Sequence, residues 1–177
     1  MTADEVVELL GLEPLPGEGG WFRETYKASG TIPAEALPGH GGARAFSTQI
    51  YYLLRSGSAS KLHRVKSDEV FHHYLGDSVS QVRLDIEGRV NVVEIGGDLR
   101  AGQRPQVVVP AGWWQGAVLS SEVGVATGSE GGAGWALMGC TVAPGFEWDD
   151  FELIDPERDA AVVERVRSAV AWADRVL

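Results

Sequence analysis

The sequence predicts an all-β sandwich or barrel, with a short helix ahead of it and an amphipathic helix behind. Three observations carry this. Short β-like runs follow one another closely through the middle of the chain, with Gly, Pro, Asp or Ser between most of them. Both ends instead show helical spacing of apolar residues. The length, 177 residues, suits one domain with a proper core, and neither an internal repeat nor a second domain is visible.

Residues 4–10 read as the first helix. Asp4 can cap it, Val6, Val7, Leu9 and Leu10 give it an apolar side, and Gly11 can end it. A turn-forming stretch, Pro14 to Gly20, leads into a short aromatic strand from Trp21 to Tyr26, and residues 28–44 read as a surface loop. The central strands are then Ser47–Leu54, Ser60–Val65, Glu69–Leu75, Val79–Ile86, Val90–Ile95, Gln106–Val109, Gly116–Leu119 and Trp135–Val142. Glu87-Gly88 reads as a hairpin turn, and Gly124 to Gly134 as a Gly-rich loop. From Pro156 onward, Ala161, Val162, Val166, Ala169, Val170, Ala173 and Val176 recur at helical spacing opposite charged residues of both signs. This is an amphipathic helix for packing on the barrel or on a partner subunit.

The net charge is −10, which repels phosphate backbones and anionic lipids, so nucleic acid and membranes are poor partners. The single cysteine, Cys140, excludes an intramolecular disulfide and a four-thiolate zinc site, and reads as a small buried apolar residue. The acidic start, Asp4-Glu5, lacks the character of a signal peptide, and the expected location is the cytoplasm.

Chemistry concentrates between Gly57 and Gly76. His63, His72, His73 and Glu69 all fall there. Imidazoles and a carboxylate from adjacent strands can form a metal site or an acid–base pair inside a barrel. Strand alternation puts Glu69, Phe71 and His73 on one face and His72 on the other.

At this stretch the sequence resembles the cupin superfamily. Gly57, His63, Glu69 and Gly76 stand at the spacing of the first cupin motif, with Val65 where a second His is usual. Pro110-Ala111-Gly112 matches the core of the second motif, with Gln115 in place of its His, Leu119 in place of its Asn and Arg104 in place of its leading Gly. Finer features are similar to one uncharacterised cupin group, formerly a domain of unknown function. They are the segments Glu18–Tyr26, Ser47–Leu54, Leu62–Glu69, Val108–Gln115 and Gly139–Glu147. The resemblance runs from about Gly11 to Ile154. It implies a double-stranded β-helix, the cupin jelly-roll barrel, with a small-molecule pocket, and it implies no settled activity.

Metal-binding cupins use three His and one Glu. Here a divalent metal would have His63, Glu69 and Gln115, with His73 as a substitute, a weaker donor set for transition metals. The other arrangement is a metal-free polar cluster. Cupin-fold sugar epimerases are metal-free, so His63 is the candidate base, Glu69 its orienting carboxylate and Tyr51, or else Tyr52, the acid. Candidate ligand-binding residues are Arg23 as an anion clamp, Phe71 as an apolar wall, His73, Trp113 and Gln115. Arg23 could equally serve a neighbouring barrel or only a salt bridge. Phe146, Trp148 and Phe151 alternate with acids, as a segment closing the barrel mouth or as a surface strand. Three functions fit these residues: an isomerase or epimerase of a sugar, nucleotide sugar or similar metabolite, a metal-dependent oxygenase or lyase, and a non-enzymatic small-ligand binder. A homodimer is expected, because a jelly roll with a detachable first strand leaves edges for a partner to cover.

Overall fold

The structure is a computed structural model, which describes residues 1–125 and 132–177. Part of the expected Gly-rich loop, residues 126–131, lies outside the described residues. In chain order come helix α1 (Ala3–Leu10) and strands β1 (Glu13–Pro14), β2 (Trp21–Lys27), β3 (Thr31–Ile32), β4 (Arg44–Ala45), β5 (Thr48–Arg55), β6 (Ser60–Val65) and β7 (Asp68–Gly76). After these come β8 (Val79–Leu84), β9 (Val90–Ile95), β10 (Gln106–Val109), β11 (Trp114–Leu119), β12 (Trp135–Ala143), β13 (Phe151–Leu153), α2 (Ala160–Ala169) and α3 (Ala173–Val176).

Among the described residues, one sheet orders its strands β1-β2-β5-β12-β7-β10 and the facing sheet β13-β6-β11-β8-β9. The pairings are antiparallel throughout these two sheets, as in a jelly roll. Side chains pointing into the barrel form the central core. They include Tyr52, Leu54, Phe71, Val79, Ile95, Leu119, Met138 and Cys140.

The outer faces are covered as well. On the first sheet, α1 packs Val6 against Leu53, Trp135 and Leu137. On the second, α2, α3 and Val170 between them bring Val163, Val166, Val170, Ala173 and Val176 onto Leu62, Val82, Trp114 and Val118. Strands β8 and β11 are therefore buried on both faces along their whole length, which explains their lack of clean polar alternation. Gly116 permits the closest approach of α3, since a Cβ there would stand 3.0 Å from the Val176 side chain.

Three local expectations are corrected. The cap of α1 is Thr2, in a capping box with Glu5, and not Asp4. The C-terminal helix is two helices, because Val170 is extended and buries its side chain on the sheet. The loop 28–44 carries β3, a 3₁₀ turn and the start of β4. No described helix is long and apolar enough to cross a membrane.

Candidate functional site

The barrel opens into a cavity of about 130 Å³ at the end where β6, β13, β2 and β5 meet the start of β7. Its polar residues include His63, Glu69, Glu18 and Glu24, and its apolar walls include Phe22, Ile50, Val65, Phe146, Trp148 and Phe151.

His63 is buried, at 3% exposure. Its Nδ1–H donates to the Lys61 carbonyl at 2.7 Å. That bond places a proton on Nδ1, so in the neutral ring the lone pair lies on Nε2. Glu18 Oε2 lies 3.9 Å from Nε2 and Gln115 Nε2 lies 3.3 Å from it. Phe151 stacks on the ring at 5.2 Å between centroids. Glu69, on the facing sheet, accepts from Gln115 Nε2 at 2.5 Å. Burial pushes the Glu69 carboxyl above its ordinary value, against the pull of His63, and Glu18 adds to the rise. Burial also pushes the neighbouring Cys140 thiol well up, so it stays protonated beside Glu69.

Glu18 reaches the site through the double-glycine turn after it. Gly19 and Gly20 take φ of +99° and +78°. A Cβ at Gly19 would overlap the Ala59 carbonyl, and one at Gly20 would press on Tyr52. Ser60 Oγ then donates to Glu18 Oε1 at 2.7 Å and holds the carboxylate in place.

Behind Gln115 runs a chain of hydrogen bonds with one direction. Arg83 Nε donates to Gln81 Oε1 at 2.7 Å, and Gln81 Nε2 donates to Gln115 Oε1 at 3.1 Å. A guanidinium can only donate. It therefore turns Gln81, and Gln81 turns Gln115, so that Gln115 offers N–H groups to His63 and Glu69. A metal at this position needs a lone pair from Gln115, and the chain presents a donor instead. Val65 contributes no ligand. Among the described residues no group of three or more His, Cys, Asp or Glu is close enough to hold a metal ion. The donor set of His63, Glu69 and Gln115 does not fit one.

The other residues that the sequence points to lie elsewhere. In β5 the inward parity is Thr48, Ile50, Tyr52, so Tyr51 faces outward beside α1. Tyr52 faces inward, but its hydroxyl donates to the Gly19 carbonyl at 3.0 Å and burial pushes its pKa well up. In β2 it is Phe22 and Glu24 that face the cavity. Arg23 faces away, where its Nη1 donates to the Leu10 carbonyl at 2.7 Å and caps α1. Phe71 and Trp113 pack with the central core and not on the cavity. His73 shares Glu69's parity but sits four residues along β7, with Nε2 donating to the Asp77 carbonyl at 2.9 Å. His72 faces outward against Thr141 and Tyr74. Sequence reasoning misses Glu18 and Glu24. The signal available for Glu18 is a carboxylate fixed by two glycines beside an aromatic strand.

The segment from Phe146 to Phe151 closes the mouth, as one of its two sequence readings expects. It is fastened by Asp150, which accepts from Arg44 Nε at 2.6 Å and Nη2 at 2.7 Å, with both side chains buried.

A jelly roll with a histidine and a glutamate facing each other inside the barrel is the architecture of the cupins. The chain belongs to the Cupin superfamily (DUF985), whose family pattern matches residues 4–154. Among solved structures it is similar to protein SO0799 from Shewanella oneidensis, with 31% identity, TM-score 0.78 and coverage of 99% of this chain and 97% of that one. It is similar to a hypothetical protein from Leishmania major, with 28% identity, TM-score 0.81 and coverage of 99% and 98%. An uncharacterized protein of Saccharomyces cerevisiae, YML079W, is 29% identical over 148 residues, which are 79% of this chain and 69% of the yeast one. Oxalate decarboxylase from Bacillus subtilis, at 16% identity and TM-score 0.51, covers 85% of this chain and shares the fold alone.

Proposed function

We propose that the cavity hosts a proton-transfer reaction, an isomerisation or epimerisation of a small polar metabolite, with His63 Nε2 as the base. The observation that carries this reading is the fixed tautomer. A lone pair on Nε2, facing a partly apolar cavity beside Glu18 with only the 3.3 Å contact of the Gln115 amide on it, is placed for abstraction of a proton from carbon. Glu69 is the matching acid. Its carboxyl is pushed up by burial, and it lines the same cavity from the opposite sheet. The proton leaves a C–H bond for Nε2, and Glu69 supplies one to the other end of the displaced electron pair. Tyr51 has no part in this scheme.

Size and charge narrow the substrate. A cavity of about 150 Å³ holds benzene, and this one, at about 130 Å³, admits a molecule or fragment of that scale. No lysine or arginine among the described residues lines it, so the diphosphate of a nucleotide sugar finds no counter-charge.

The test is solvent exchange. Small hydroxy and keto compounds are incubated with the protein in deuterated water, and label at carbon is followed by NMR. Wild type introduces deuterium into a compound that binds, while His63→Ala and Glu69→Gln are slower by roughly 10²–10⁴-fold. A compound that binds tightly and comes back unlabelled and unchanged would make the barrel a binding module.

A further inference from the structure

The lining of this cavity also has a sign, and the ligand class drawn from that sign rests on the cavity being the ligand site. Its acidic and basic residues are Glu18, Glu24, Glu69 and His63, beside the protonated Cys140 thiol. The nearby cations are engaged elsewhere. Lys27 pairs with Glu147 at 2.7 Å, Arg44 and Lys66 pair with Asp150, and Arg83 donates to Gln81 and the Val108 carbonyl. The whole chain carries a net charge of −10, which draws cations toward it.

The mouth adds a second, independent feature. Phe146, Trp148 and Phe151 meet in pairs at 71° to 78°, with centroids 5.3 to 6.4 Å apart. Three rings at near right angles can form a corner. A cation about 4 to 4.5 Å from the faces of two perpendicular rings requires centroids about 6 Å apart, a spacing that the Phe146–Phe151 and Trp148–Phe151 pairs meet and the closer Phe146–Trp148 pair does not. Trp148 is 53% exposed, so the corner meets solvent before the ligand does.

We propose that the cavity takes a small organic cation, a substituted ammonium of about benzene size, with its charge at the Phe146–Trp148–Phe151 corner and facing Glu18 and Glu24. An anion would meet carboxylates with no lysine or arginine among the described residues of the lining to compensate them. A neutral sugar would find few partners for its hydroxyls on walls this apolar.

Three probes of similar shape separate the cases: choline, its uncharged carbon isostere dimethylbutanol, and the anion dimethylbutanoate. Each is titrated into the full chain by calorimetry, with thermal shift and the His63 ring resonances recorded in parallel. Choline is expected to bind at least tenfold more tightly than the isostere, with no binding of the anion. Trp148→Ala and Glu24→Gln, both at the rim, are each expected to weaken choline about tenfold without lowering the melting temperature of the free protein. If the isostere or the anion binds as tightly as choline, the charge preference is overturned and the pocket reading stands. If none of the three binds at millimolar concentration and none moves the His63 resonances, both readings fall.

Discussion

Arg44 and Arg83 are both buried, at 5% and 7% exposure, but Arg44 lies against a carboxylate and Arg83 lies among amides and carbonyls. Arg44 grips Asp150 with two hydrogen bonds and so ties the aromatic closing segment to β4. Arg83 has no such neutralisation. Burial lowers its pKa to about 10, and its Nη2 has no hydrogen-bond partner among the described residues. The first arrangement is a clamp, whose worth lies in the pair. The second spends a buried charge on direction, because it decides which end of Gln115 meets His63 and Glu69.

Breaking the clamp should have the largest effect. Arg44→Met leaves buried Asp150 with only the 3.6 Å contact to Lys66, and is expected to cost about 3 kcal/mol in chemical denaturation. The double variant Arg44→Met/Asp150→Leu should recover most of that loss, and failure to recover would mean that packing, not the pair, holds the segment. The clamp also sets a pH dependence. Burial works to raise the Asp150 carboxyl, yet Arg44's hydrogen bonds and charge hold it below its ordinary value. A lowered folded pKa gives stability that is present above the unfolded value and lost as pH falls through the folded one, so below about pH 4. That acid slope should shrink in Arg44→Met, where the more distant Lys66 still favours the carboxylate.

The next effect sharpens the contrast at the other arginine. If the direction of the Arg83 chain is what denies a ligand to the site, supplying imidazoles should bypass it. Val65→His/Gln115→His places two more nitrogens around His63 and Glu69. It is expected to take up Ni²⁺ or Mn²⁺ near stoichiometrically, with a metal-dependent gain of about 2.7 kcal/mol at a metal concentration of 100 Kd. Wild type should show no such gain. Stoichiometric metal in wild type by elemental analysis would defeat the donor argument outright.

Arg83→Met should be the mildest. It removes a buried unneutralised charge while stranding Gln81 Oε1, two changes that oppose one another, so stability is expected to move by only about 1 kcal/mol. The informative readout is local. The Gln115 side-chain amide and His63 ring resonances should shift and lose their single orientation. Unmoved resonances would show that Arg83 does not set the direction of the chain.

Much of the barrel is legible in the sequence because turn residues punctuate it. The bounds of β6, β9 and β10 can be read as they stand, and the His63–Glu69–Gln115 group comes from motif spacing. What the sequence does not settle is parity. In Thr48–Arg55 both faces are apolar, since the outer one is covered by α1, so nothing in the alternation says that Tyr52 and not Tyr51 turns inward. The same ambiguity in β2 exchanges Arg23 for Glu24. His73 has the right parity and the wrong depth, a distance along the strand that motif spacing does not weigh. Glu18 is hidden because it sits in a turn, where periodicity has no meaning.

The origin of Glu18 has a consequence for how the site comes and goes. Glu18, Phe22 and Glu24 all belong to the ribbon formed by β1 and β2, which lies at one edge of its sheet. An edge is where a sheet unzips most cheaply. Peeling that ribbon would remove one wall of the cavity and two of its carboxylates in a single motion, leaving His63 open to water. Anything held in the cavity is therefore also a stitch along the sheet's margin, and occupancy and the docking of the first two strands rise and fall together.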